Sequence, residues 1–170
     1  HVFLQAGVGG MAAGIISGIA KYFKRIPKII VIEPENANCV MKSIKYGYQK
    51  KVNIQKQSIM GGMSCAEVSL VPWRILKNAV NNCVSVSDKY VPQTLTMLAK
   101  KKFGDKKIIA GECSTPGVIS VISCCNDPLV KKKLEINEES NILIIGCEGD
   151  TDKNLYNKLY KIGNQKLKKI

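Results

Sequence analysis

Three glycines fall within four positions near the amino end of the chain, in Gly7-Val8-Gly9-Gly10-Met11. They follow an apolar run, Val2–Ala6, and precede an Ala/Ile/Gly-rich stretch that reads as a helix over 12–24. Glycines in that position let backbone N–H groups close around an anion. A helix starting directly behind them adds unsatisfied donors and the positive end of its dipole. A phosphate group is the natural guest, and a turn that merely packs strand against helix is the plainer alternative. Gly7-x-Gly9-x-x-Ala12 also satisfies the relaxed dinucleotide fingerprint, with Glu33 ending the next strand where a ribose-binding acid would stand. That leaves a nicotinamide-dependent (NAD or NADP) oxidoreductase and a non-catalytic phosphate-ligand module as alternatives. No Lys-Ser/Thr pair follows the glycines, which excludes a Walker A loop.

The other chemically capable residues are less organised. Seven cysteines, Cys39, Cys65, Cys83, Cys113, Cys124, Cys125 and Cys147, include no C-x-x-C pair, and His1 is the single histidine. A structural zinc site therefore lacks spacing and partners, and no metal is expected. The thiols read as buried and free, as in a reducing cytoplasm. Lys+Arg 26 against Asp+Glu 13 gives a net charge of +13. Only Arg25 and Arg74 offer the planar fork suited to phosphate and guanine, and no nucleic-acid motif accompanies the charge. The lysine runs Lys100–Lys102 and Lys131–Lys133 fall where helices should end, and 166–170 reads as a frayed tail. A solvated Lys-rich surface follows, without a nucleic-acid partner. No apolar run approaches the ~20 residues of a membrane-spanning helix, so no membrane partner is expected.

The elements that must position the loop alternate. Lys28–Glu33 is β-branched and apolar throughout, a strand needing cover on both faces. Helices are predicted over 36–46 (ended by Gly47), 71–81, 91–103 (with Ser87-Asp88 as its cap), from Thr115-Pro116 through Cys125, and after Asp152. Strands are predicted over 51–54, 83–86 and 141–146, with a short apolar piece at 108–110. The fold class is therefore α/β: an open, mostly parallel twisted sheet with helices on both faces, and no internal domain boundary within 1–170.

Several stretches, in order, resemble the fold-type II pyridoxal phosphate enzymes, the tryptophan synthase β-like family of threonine dehydratase and cysteine synthase. The glycine loop with Ala13–Ala20 resembles their loop and following helix. Val31-Ile32-Glu33-Pro34-Glu35 resembles their "VEPE" strand end, which makes Glu33 part of a strand end rather than a ribose ligand and demotes the dinucleotide reading. Val84-Ser85-Val86-Ser87-Asp88 lies within a stretch like the dehydratase "V-x-V-S-D". The diaminopropionate ammonia-lyase subgroup is more similar still, in His1–Gly9, Trp73-Arg74-Ile75-Leu76 and Glu148-Gly149-Asp150-Thr151-Asp152.

The resemblance implies pyridoxal 5'-phosphate as cofactor, an amino-acid substrate, a homodimer, and elimination of ammonia from 2,3-diaminopropionate to give pyruvate and ammonia. Gly7, Val8, Gly9, Gly10 and Met11 would hold the cofactor phosphate. Cys147 falls where relatives carry a Ser or Thr facing the pyridine nitrogen; a buried strand-end thiol is the plainer reading. Glu148, Asp150 and Asp152 would shape the nearby loop or cap a helix, and Glu112-Cys113-Ser114-Thr115 departs from the family's Glu-Ser-Gly stretch. The family's Schiff-base lysine lies before the glycine loop, hence upstream of His1. On this reading no catalytic residue lies in the segment, which is the C-terminal portion of a catalytic domain and inactive alone.

Overall fold

The computed structural model describes residues 1–168. Four parallel strands form one sheet in the order β3-β2-β1-β4, where β1 is Val2–Gln5, β2 Ile29–Pro34, β3 Asn82–Val86 and β4 Leu143–Ile144. The register pairs Val2 with Ile29 on one side of β1 and with Leu143 on the other. Helices α1 (Gly10–Tyr22), α2 (Cys39–Tyr46) and α3 (Leu70–Ala79) are followed by α4 (Val91–Ala99), α5 (Pro116–Asn126), α6 (Pro128–Lys133) and α7 (Lys153–Leu167).

The uniformly apolar central strands divide their side chains by the period of two. Val2, Leu4, Ile29 and Val31 join a core with Ala13, Ile16, Trp73 and Leu76 from α1 and α3. Phe3, Ile30 and Ile32 point the other way, into a core with Leu95, Ile119 and Leu159 from α4, α5 and α7. Helices thus cover both faces, as expected for a parallel sheet.

Several predicted elements differ from those found. Residues 51–54 form no strand: the Val52 N–H bonds to the Ala66 carbonyl, outside the sheet. Residues 108–110 are likewise irregular. The strand predicted over 141–146 pairs only at Leu143 and Ile144; just beyond them the Ile145 carbonyl accepts from the Gln5 side chain. Asp88 does not cap α4; its carboxylate accepts from Ser58 Oγ (2.6 Å) and the Ile59 N–H (3.0 Å), tying a loop to the end of β3. Helix α4 stops at Ala99, and Lys101 is left-handed at φ 59°. Lys166 and Leu167 belong to α7 rather than to a tail; the last two residues of that predicted tail lie outside the described residues.

The α4–α7 crossing is close because Gly163 has no side chain. A Cβ there would overlap the Pro92 carbonyl oxygen and Thr96 Oγ1, both already engaged by a 2.9 Å hydrogen bond between them. Gly163→Ala should cost the full-length protein about 1–3 kcal/mol by overpacking, read as a lowered urea midpoint with unchanged slope.

Candidate functional site

Strand β1 ends at Gln5, and the chain turns through Gly7-Val8-Gly9 directly into α1, at the carboxyl end of the sheet. Gly9 sits at φ +91°, a left-handed conformation that points the chain into the helix without steric cost only for glycine. The site is also crowded on its protein side. A Cβ on Gly7 would lie 2.5 Å from the Gly62 carbonyl oxygen and 2.9 Å from Cys65 Sγ, and one on Gly9 would meet Leu76 Cδ1 at 2.7 Å. A Cβ on Gly10, by contrast, would touch nothing within 4 Å. The N–H groups of Gly7 through Ala12 find no acceptor among the described residues, while the Ala6 and Ala13 N–H groups on either side are bonded to Ile32 and Gly9 carbonyls. Helix α1 has no side-chain cap and no acid in its first turn. This is a cradle of unspent donors at the positive end of a helix, with open space on one side. It fits a phosphate group.

Cys147 lies just beyond β4, which runs parallel beside β1, so both loops leave the same edge of the sheet. Its thiol is exposed, which corrects the expectation of a buried strand-end thiol. Sγ accepts from Gln5 Nε2 (3.3 Å) and donates toward the Cys113 carbonyl (3.4 Å). The surrounding scaffold centres on Ser114. Its Oγ accepts from the N–H groups of Cys147 (2.9 Å) and Glu148 (2.7 Å) and donates to the Glu148 carbonyl (2.8 Å). Glu148 returns the tie by accepting the Cys113 N–H at 2.6 Å. A cleft of about 770 Å³ opens beside it, lined by Ser114, Cys147 and Glu148 and by apolar groups such as Ile109, Val121 and Ile122.

The two loops are joined by contact. Gly7 packs on Gly62, and Gly62 in turn faces Cys113 Sγ. Burial first, then the Glu148 carboxylate, pushes the Cys113 thiol up to about 12, so it stays protonated. Burial, with repulsion from Glu148 and Asp152, also raises Glu112. Glu112, Cys113 and Glu148 cluster within 4.8 Å, but Glu148 is spent on the backbone and Cys113 keeps its proton. Asp152 caps α7 through the Leu155 N–H, as its position suggested.

Three placements were not foreseen. Gln5 is buried at 2% exposure and its Nε2 also donates to the Ile145 carbonyl at 2.7 Å, while Oε1 has no partner among the described residues. Its signal was a lone amide in an apolar strand. Ser114 carried no signal beyond its neighbourhood. Glu33 is fully buried, and its two carboxylate oxygens accept the N–H groups of Val40 and Met41, each at 2.7 Å, at the start of α2. A carboxylate so engaged cannot meet a ribose, which removes the acid that a dinucleotide site would need. Of the remaining thiols, Cys39 and Cys124 are buried with Cys113, Cys65 and Cys83 are half-buried, Cys125 is exposed, and all seven are free.

The model of the pyridoxal-phosphate dependent enzymes matches residues 1–148. The chain belongs to that family. Within it, the chain is 31% identical over 163 residues to diaminopropionate ammonia-lyase of Escherichia coli K12, covering 94% of this chain and 41% of that protein. The crystal structure of the E. coli diaminopropionate ammonia lyase in complex with D-serine superposes with a TM-score of 0.83 at 30% identity, over 96% of this chain and 41% of that one. Maize serine racemase shares the fold at a TM-score of 0.71 and 17% identity, over 95% of this chain and 48% of that one. The pyridoxal-phosphate family chain described here thus spans about two fifths of the length of the curated lyases it matches. It presents a parallel α/β sheet of fold-type II, and among its described residues no helix is long and apolar enough to cross a membrane.

Proposed function

We propose that this chain is the phosphate-holding part of a pyridoxal-phosphate-dependent lyase that eliminates ammonia from 2,3-diaminopropionate. The observation that carries the reading is the glycine loop with its run of unpartnered N–H groups at the start of α1. When bound, the cofactor supplies an electron sink for chemistry at an amino-acid α-carbon. Gly7, Val8, Gly9, Gly10 and Met11 would hold its phosphate through backbone donors, which the glycines let approach closely. Cys147, held beside Gln5 and Ser114, would offer its thiol to the cofactor ring as a weak hydrogen-bond partner in place of the Cys113 carbonyl. The apolar cleft beside it is of a size to take an amino-acid-sized ligand.

The lysine that holds the cofactor covalently, and the acids that move protons, are assigned to the parent protein outside residues 1–170. The substrate is an amino acid, the assembly a homodimer and the compartment the cytoplasm. Free thiols support a reducing compartment, and exposed apolar side chains around the cleft, Ile108 and Ile122 among them, support burial against further protein. Borohydride reduction of the full-length holoprotein followed by peptide mapping tests the assignment. The pyridoxyl label is expected on a lysine outside this chain, and the protein should release pyruvate from diaminopropionate. A label within residues 1–170, or no label, overturns it.

A further inference from the structure

A second concave site lies between α2 and the segment that follows it. The cleft, of about 510 Å³, is lined by Lys42, Lys50, Lys51 and Lys56, with Tyr46 on its wall and Glu35 as its one acid. None of the four ammonium groups is ion-paired: among the described residues the single salt bridge joins Lys28 to Glu135, elsewhere. Four like charges around one hollow repel one another, and a multiply charged anion relieves that repulsion.

The walls are built rather than loose. Lys42 is half-buried on α2. On the facing wall the Lys50 N–H donates to Ser43 Oγ (2.8 Å), the Val52 N–H to the Ala66 carbonyl (2.9 Å), and Asn36 Nδ2 to the Lys56 carbonyl (2.6 Å). Lys50 Nζ stands 5.5 Å and 5.8 Å from the ring centroids of Tyr46 and Tyr48, held at the rim by the aromatic faces. Polar and aromatic lining together suit an anion that carries several phosphates. A lone phosphate would leave most of the cationic groups uncompensated.

We infer that this cleft is a binding site for an oligophosphate of small-molecule size, with Lys42 and Lys56 gripping the anion from opposite walls. No residue of Gly7–Met11 lines it, so it stands or falls separately from the cofactor reading. The source of the oligophosphate, free or attached to a nucleoside, is decided by the same experiment. The full-length protein, saturated with pyridoxal phosphate, is titrated calorimetrically with tripolyphosphate, ATP and adenosine. Tripolyphosphate should bind saturably, one per chain, and more weakly at higher salt. Equal affinity for ATP marks a free oligophosphate site; tighter ATP binding marks a nucleotide whose base meets Tyr46. Lys42→Ala and Lys56→Glu should each weaken tripolyphosphate binding about tenfold, the scale of one charge-assisted contact. Lys106→Ala, outside the cleft, should change nothing, and because all three sites are at or near the surface the variants should melt like the parent. Non-saturable heats, variants that bind like the parent, a Lys106→Ala variant weakened as much, or adenosine binding as tightly as ATP would each overturn the assignment.

Discussion

Gly7→Ala is expected to cost the full-length protein about a hundredfold in pyridoxal phosphate affinity, the scale of one or two hydrogen bonds to a charged group at ~1.5–3 kcal/mol each. The reason is steric and local. The added methyl lies 2.5 Å from a backbone oxygen, that of Gly62, and 2.9 Å from Cys65 Sγ. A flexible side chain could yield, but the Gly62 carbonyl belongs to a tight turn over Gly61–Met63 that also packs on Cys113. The loop must therefore move, and its N–H groups move with it. Gly9→Ala adds backbone strain at φ +91°, of about 1–2 kcal/mol, to a clash with Leu76. Gly10→Ala separates cradle from fold. Its methyl meets no protein atom within 4 Å, and alanine is the better residue in a helix by ~1 kcal/mol. That variant should melt no lower than the parent yet hold the cofactor roughly tenfold less tightly, because the methyl enters the open side of the loop where a contact worth ~1.4 kcal/mol would be lost. Equilibrium dialysis of pyridoxal phosphate, with melting in parallel, reads all three. Unchanged affinity in Gly7→Ala and Gly10→Ala would remove the phosphate from this loop.

The β1–loop–α1–β2 unit was legible because each part obeys a local rule. Val2–Ala6 and Lys28–Glu33 are too apolar for anything but strands covered twice, and three glycines between strand and helix have few uses. Gly47 ended α2 as predicted, at φ +79°. What failed depended on distant partners. Val52 and Ile54 alternate like strand residues, yet no strand edge reaches them, and the Val52 N–H is satisfied by Ala66 instead. Asp88 looks like a cap by sequence position but serves residues 58 and 59, about thirty positions earlier. The glycine loop could be read from the chain because its donors are its own backbone. The Cys147 scaffold could not, because Gln5, Ser114 and Glu148 meet only after β1 and β4 pair. Glu33 is the sharpest case: its place at a strand end suggested a ribose, the family resemblance demoted that reading, and the fold shows the helix that consumes the carboxylate.

That buried carboxyl should give the protein a pH dependence of its own. Burial raises the Glu33 pKa from 4.5 to about 7, outweighing the two N–H groups of Val40 and Met41 that favour the ionised form. The Cys39 and Cys83 thiols near it are pushed up to about 12, chiefly by burial and then by the Glu33 charge, so both stay neutral beside it. In the unfolded chain Glu33 releases its proton near 4.5, whereas the folded chain keeps it until about 7. Between those values the native state binds more protons than the unfolded one, and stability falls as pH rises through the window. The shift corresponds to a loss of ~3 kcal/mol from pH 4.5 to pH 8. Glu33→Gln cannot titrate, so the loss should vanish from the variant. One amide oxygen still accepts one backbone N–H, but the amide nitrogen faces the other, which makes the variant less stable at low pH. The decisive quantity is the difference in unfolding free energy between parent and variant, measured by urea titration across pH 4.5–8. It should move by ~3 kcal/mol in favour of the variant as pH rises. Parallel profiles would show that the Glu33 carboxylate is already ionised in the fold at acid pH. The substitution should reach the cradle as well, because it leaves one of those two N–H groups facing the amide nitrogen. Glu33 anchors the start of α2, and Cys39, the first residue of that helix, donates its thiol to the Gly7 carbonyl at 3.6 Å. Loosening α2 therefore releases the loop whose backbone donors are proposed to hold the phosphate.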